Sequence, residues 1–231
     1  MELDYEKQAE EYNTVWMNRN QPPFVLDNWV DNDWAKGRTQ YLTFLAQVSD
    51  KEIHEKVRQT QNKLAIFPCI EPFQADYLHV TVKEINCFLV DEKQNNDEYT
   101  KPELDRMSAK AAKIIQRYEP FTVNLERLNN FTSVICVEGH DGGIIRGINA
   151  ELREELELPT LQHDSRFLPH MSITQYKSQE QYPQLISYLE EIRDTKIGKL
   201  RVDRIQLVIA HLPVTGRTPR IEVIQEYPLK G

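Results

Sequence analysis

The sequence predicts an α+β fold: two similar lobes, each an antiparallel sheet with outer helices, facing each other across a central cleft. Three observations lead there. Short apolar runs rich in β-forming residues outnumber what a helical bundle needs. Amphipathic stretches at helical spacing alternate with them. The order strand, amphipathic helix, histidine strand also occurs twice, over 38 residues from Tyr41 to His79 and 39 from Phe131 to His170. This is a two-fold duplication in outline, with only faint residue identity between halves.

Before Tyr41 the chain reads differently. It holds all three tryptophans, Trp16, Trp29 and Trp34, and the breaker "NQPPF" at 20–24. A helix from Tyr5 to Trp16 followed by irregular chain is expected, and residues 1–40 form an N-terminal extension to a domain spanning 41–231. The extension reads either as a lid or substrate-shaping arm, or as a segment pinned by aromatic anchors; the anchors favour pinning.

The regular pattern begins with "YLTFLAQV", read as a buried strand. "SDKE" follows as a capping box of Ser49 and Glu52, opening a helix with Ile53, Val57 and Leu64 on one face. After the loop "FPCIEPF" comes the His79 strand. "TKPE" is a second capping box, before a helix carrying Leu104, Met107, Ala111, Ile114 and Tyr118. "FTVNLERL" and "FTSVICV" read as strands. "DGG" precedes a helix with Ile144, Ile148, Leu152 and Leu156 at steps of four. The His170 strand, a helix from Glu180 to Arg193 and two long strands, "LRVDRIQLVIA" and "RIEVIQEY", complete the chain. In the first of these the alternation slips near Asp203 and Arg204, which reads as a bulge.

Composition bounds the function. The chain has 231 residues, 40% hydrophobic and 28% charged, enough for a core without staples. No run approaches a membrane span and no signal peptide is read. Cys69, Cys87 and Cys136 lie far apart, without C-x-x-C spacing, so neither a disulfide framework nor a zinc knuckle is expected. Buried thiols in a reducing cytoplasm fit better, and Asn130-Phe131-Thr132 is then a chance glycosylation triplet. The net charge of −8 comes without a basic face. A small phosphate-bearing ligand or a nucleic-acid end therefore suits this chain better than an extended duplex.

The chemistry concentrates in "HVTV" at 79–82 and "HMSI" at 170–173. Strand alternation puts His79 and Thr81 on one side, about 7 Å apart, with Val80 and Val82 opposite; His170 and Ser172 do the same. If the duplication is structural, two imidazoles and two hydroxyls surround one small site. Metal-free cleavage of a phosphodiester needs that set. One neutral histidine takes a proton, the protonated other gives one to the leaving oxygen, and the hydroxyls stabilise the non-bridging oxygens. No metal or cofactor is called for.

These paired strings, some ninety residues apart, resemble the H-h-[T/S]-h signatures of the two-histidine (2H) phosphoesterase superfamily, and the chain is similar to its 2′-5′ RNA ligase-like group. The resemblance covers Tyr41 to Leu229. It implies a bilobal pseudo-two-fold fold and metal-independent phosphodiesterase action on 2′,3′-cyclic phosphates, 2′-5′ linkages or cyclic nucleotides. The positions it carries over are His79, Thr81, His170 and Ser172. Which histidine is the base, and whether the direction is hydrolysis or ligation, stays open. The partner is a nucleotide or short RNA. The alternative is a non-catalytic module that holds a nucleotide or RNA end in the same cleft.

Other residues carry less. His140-Asp141 and His163-Asp164 sit beside turn residues and read as caps or loop residues rather than metal ligands. Tyr176, four positions beyond Ser172, is placed by alternation on the face of His170, where it could stack on a base or simply pack. Lys83, Lys177, Arg38 and Arg166 are open as phosphate contacts. His54 and His211 have no partner pattern.

Overall fold

The computed structural model describes residues 3–25, 29–30, 33–162 and 164–230. His163, of the second His-Asp pair, lies outside them. Helix α1 (Tyr5–Met17) starts where the Asp4 carboxylate accepts from the Lys7 N–H, and it buries Gln8 and Tyr12. The first half follows as β1 (Gln40–Gln47), α2 (Lys51–Leu64), β2 (Ile70–Pro72), β3 (His79–Leu89), β4 (Glu98–Tyr99) and α3 (Lys101–Ile115). The second contains β5 (Phe121–Phe131), β6 (Val134–His140), α4 (Ile144–Glu155), β7 (His170–Tyr176) and α5 (Tyr182–Glu191). Strands β8 (Lys196–Val202), β9 (Arg204–His211) and β10 (Arg220–Pro228) end the chain. Among the described residues, no helix is long and apolar enough to cross a membrane.

Two five-stranded sheets result, ordered β10-β9-β1-β3-β4 and β2-β7-β6-β5-β8. Every pairing is antiparallel except that of the two-residue β4 with β3. The halves exchange their covering helices: α4 packs on β3, while α2 packs on β7 and β8. One buried apolar cluster consequently runs through both lobes. A smaller one, built on Val30, Ala35, Tyr41, Phe88 and Leu212, seats Trp29 and Trp34.

Three local expectations change. The cap of α2 is Asp50, whose carboxylate accepts from the Glu52 and Ile53 N–H groups, and not Ser49. Asp is as good a cap as Ser and stands one residue nearer the helix. Phe131 ends β5, and the next strand starts only at Val134, after a tight turn at 132–133. "LRVDRIQLVIA" is two strands: β8 lies in one sheet and β9 in the other, with Asp203 between them. The slip in alternation marks a change of sheet, where the buried side reverses. The box at "TKPE" forms as expected, with the Glu103 carboxylate accepting from the Thr100 N–H at 2.8 Å.

Each histidine strand carries a bulge at the same place. In β3, Thr81 pairs with Leu45 and Lys83 with Phe44, so Val82 is extra. In β7, Ser172 pairs with Cys136 and Thr174 with Ile135, so Ile173 is extra. An extra residue slips the alternation by one. The carbonyls of both extra residues are buried among helices and both find amide donors. Asn149 of α4 donates to Val82 O at 2.7 Å, and Gln61 of α2 donates to Ile173 O at 2.8 Å beside the Phe73 N–H, which donates to it at 3.0 Å. Each donor thus belongs to the half opposite the bulge it satisfies.

The first bulge turns Lys83 inward. Its ammonium is fully buried 2.6 Å from the Asp164 carboxylate, which also accepts from Leu161 N–H. Removing one partner strands a charge away from water. Lys83→Met should lower the unfolding free energy by about 3–5 kcal/mol, and Lys83→Met with Asp164→Leu should recover most of it. Urea denaturation of the three proteins measures both effects.

Candidate active site

His79 and His170 are the first residues of β3 and β7, each fixed by the turn before it. A 3-10 turn at Ala75–Tyr77 precedes His79, whose Nδ1 lies 2.6 Å from Tyr77 O. His170 Nδ1 lies 2.9 Å from Leu168 O. In both strands the ring nitrogen meets the carbonyl two residues back. A carbonyl only accepts, so each Nδ1 carries hydrogen and Nε2 is the nitrogen left to exchange a proton. Aromatic rings hold both imidazoles: Tyr77 edge-on to His79 at 5.1 Å, and Phe131 tilted against His170 at 4.4 Å.

The N-terminal helix steadies the second turn. Tyr12 donates to Pro169 O, and Arg146, paired with Glu11, donates to Phe167 O. Gly139 fits here because a Cβ would come 2.9 Å from Pro169 O. The three residues before His170 are therefore clasped from α1, β6 and α4.

Burial pushes the His79 imidazole down to about 4 from 6.5. The Tyr77 carbonyl pulls the other way, and the neighbouring charge of His170 adds to the fall. The two rings are therefore near enough to feel one another. A cavity of about 630 Å³ opens beside His170, bordered by Thr81, Glu84, Phe131, Arg166, Asn18 and Gln21 among others. A smaller one of about 190 Å³ adjoins His79, walled by Trp29, Trp34, Tyr41 and Tyr77. Thr81 and Glu84 border both, so the two spaces are neighbours across these residues. Ser172 is half-buried on β7, two residues beyond His170 and on its side of the strand.

Alternation misplaces the residues that follow each bulge. Tyr176 is 2% exposed, its hydroxyl donating to Asn130 and its ring against Tyr182. The slip at Ile173 turns it into the core, so it cannot stack on a base. The same slip in β3 removes Lys83 and swings Glu84 to the cleft, a residue that regular alternation assigns to the opposite face. Arg38 is held by Asp97 and Glu98 and lies over Phe88. Lys177 is exposed beyond the end of β7. Arg166 alone of the four reaches the larger cavity. Asp141 caps α4, accepting from the Gly143 and Ile145 N–H groups, and His140 is buried against Glu138. His54 meets Val48 O and His211 meets Glu222. Among the described residues, no three His, Cys, Asp or Glu side chains cluster to hold a metal ion.

A family model described as the 2′-5′ RNA ligase superfamily matches residues 46–212. Among solved structures, TT0787 of Thermus thermophilus is similar at 19% identity and a TM-score of 0.59, over 83% of this chain and 98% of that one. LigT of E. coli, complexed with 3′-AMP, is 18% identical with a TM-score of 0.55, over 84% of this chain and 99% of that one. LigT complexed with ATP aligns over the same shares at 19% identity and 0.58. No curated protein matches the chain.

The depressed His79 value has a thermodynamic counterpart. Between pH 6.5 and about 4 the folded imidazole holds fewer protons than the unfolded one, so stability rises with pH across that window. His79 should contribute up to about 3 kcal/mol above pH 6.5, all of it lost by about pH 4. Nitrogen NMR of the labelled imidazole should titrate well below 6.5, and His79→Gln should flatten the pH dependence of the melting temperature.

Proposed function

Because the chain belongs to the 2′-5′ RNA ligase superfamily of two-histidine phosphoesterases, we propose that it is a metal-independent phosphodiesterase acting on 2′,3′-cyclic phosphates or 2′-5′-linked or cyclic nucleotides. One observation carries the reading. Two imidazoles with matching Nδ1 anchors stand at equivalent positions of two pseudo-symmetric strands, beside neighbouring spaces that share Thr81 and Glu84 as walls. That the related LigT is known in complex with 3′-AMP, ATP and NADP+ supports a nucleotide as the ligand.

His79, kept neutral by burial, is the base. Its Nε2 takes the proton of the attacking water as oxygen bonds to phosphorus. The bond to the departing ribose oxygen breaks, and His170, protonated beside the phosphate anion, supplies that oxygen's proton from Nε2. One water is consumed, and the histidines return to their starting states by proton exchange with solvent. Each transfer accounts for roughly 10²- to 10⁴-fold in rate. Thr81 and Ser172 hydroxyls donate to the non-bridging oxygens as charge gathers there. Arg166, exposed at the cavity edge and without an ion-pair partner among the described residues, balances the phosphate charge.

His79→Ala and His170→Ala should each abolish turnover of a 2′,3′-cyclic nucleotide with melting behaviour retained, and EDTA should leave the wild-type rate unchanged. Thr81→Val and Ser172→Ala should lower kcat by about 10- to 10³-fold. The rate profile should be bell-shaped, its acid limb well below pH 6.5 because burial lowers the base. Nucleotide binding by calorimetry, with no product after long incubation, would favour the non-catalytic module instead.

A further inference from the structure

The two neighbouring spaces beside the histidines differ in size and in chemistry. About 630 Å³ is room for a nucleotide, within the usual range for whole-ligand pockets, whereas about 190 Å³ lies below that range and suits a single ring system. Among the described residues no lysine or arginine lines the smaller space, and Glu84 borders both it and the larger one. A phosphate is therefore repelled from it, while an uncharged aromatic ring is not. Its walls suit such a ring. Trp29 is tied down by its indole N–H, which donates to Arg217 O at 2.7 Å. Trp34 lies edge-on to Tyr41 at 4.9 Å and tilted on Phe88 at 5.1 Å. Both indoles are half-buried, so each still presents surface to the cleft.

The larger space has the opposite character. Arg166 supplies a cation, and Asn18 and Gln21 bring exposed amides that pair donor and acceptor with the edge of a base. Asn130, although it borders the cavity, already uses its amide on Arg19 O and two tyrosine hydroxyls. The amides with groups to spare are thus Gln21 and Asn18, the latter with one N–H given to Thr14 O at 3.0 Å.

We infer that the cleft takes a phosphodiester with a nucleobase on each side: one stacks in the tryptophan-walled space beside His79, the other lies in the amide-lined space beside His170, and the phosphate sits between. This rests on the phosphodiesterase reading and narrows it, since a cyclic mononucleotide fills only one side. Asn18, Gln21, Trp29 and Trp34 all precede residue 46, where the family match begins. The selectivity is accordingly a property of the N-terminal segment, placed on a scaffold shared with the family.

The test compares a 2′-5′-linked diadenylate, with two bases, and adenosine 2′,3′-cyclic phosphate, with one, on the full chain. Trp29→Leu removes the aromatic face but keeps apolar volume, and Trp29→Phe restores a face. Stacking on an aromatic side chain corresponds to about 5- to 150-fold in affinity. Trp29→Leu should raise KM for the diadenylate by such a factor, raise it far less for the cyclic nucleotide, and be largely rescued in Trp29→Phe. Equal losses on both probes, or none on either, overturn the proposal. Calorimetry of diadenylate with His170→Ala protein, with and without Trp29→Leu, separates the two readings. Binding that depends on Trp29, from a wild type that turns over neither probe, sinks the catalytic reading and upholds this one. Turnover with a Kd indifferent to Trp29 does the reverse.

Discussion

One extra residue in each histidine strand decides which side chains reach the cleft. Val82 and Ile173 follow directly after Thr81 and Ser172, and at those points the alternation of β3 and β7 reverses. Before the bulge, imidazole and hydroxyl share one side while valine, methionine and isoleucine anchor the other. After it, Lys83 and Tyr176 go inward and Glu84 goes outward. A strand without the bulge would set a lysine and a tyrosine on the histidine face and bring no carboxylate there.

The carbonyl of each extra residue is tied by a side-chain amide, and a buried acceptor left without a donor costs about 1–3 kcal/mol. Asn149 donates to Val82 O and Gln61, together with the Phe73 N–H, to Ile173 O, and each of the two amide side chains comes from the half opposite the strand it serves. The crossing of the helices and the phase of the site are therefore one arrangement. The Lys83–Asp164 pair extends it, joining β3 to the turn that leads through Arg166 to His170. Tyr12 and Arg146 hold that turn from behind. What aligns the two imidazoles is thus mostly a set of contacts between halves.

The electrostatics follow from the same placement. A chain of net charge −8 places an exposed arginine, Arg166, at the larger cavity and a carboxylate, Glu84, on the wall the two cavities share. Burial keeps His79 neutral, so the two imidazoles, similar in anchor and in register, need not be similar in proton affinity. The N-terminal segment supplies walls to both spaces. It is pinned, as its aromatic anchors suggest, and it also borders the cleft.

Much of this was legible in the residues themselves. Hydrophobic spacing marked the helices around Leu104 and Ile148, and β-rich runs marked the strands, because a buried face imposes its period on the chain. The repeated His-x-Thr/Ser string marked the candidate site, because alternation makes neighbours of residues two apart. Wherever period alone decides, the sequence sufficed. Tyr176, Lys83 and Glu84 lay beyond that reach: an inserted residue changes the phase of a strand only through pairing with a partner, and nothing in "HVTVKE" or "HMSITQY" says which residue goes unpaired. The split of "LRVDRIQLVIA" between two sheets, and the placing of Trp29 and His79 around one cavity, belong to tertiary structure for the same reason. Contacts between distant segments are set by packing the whole chain, not by any local period.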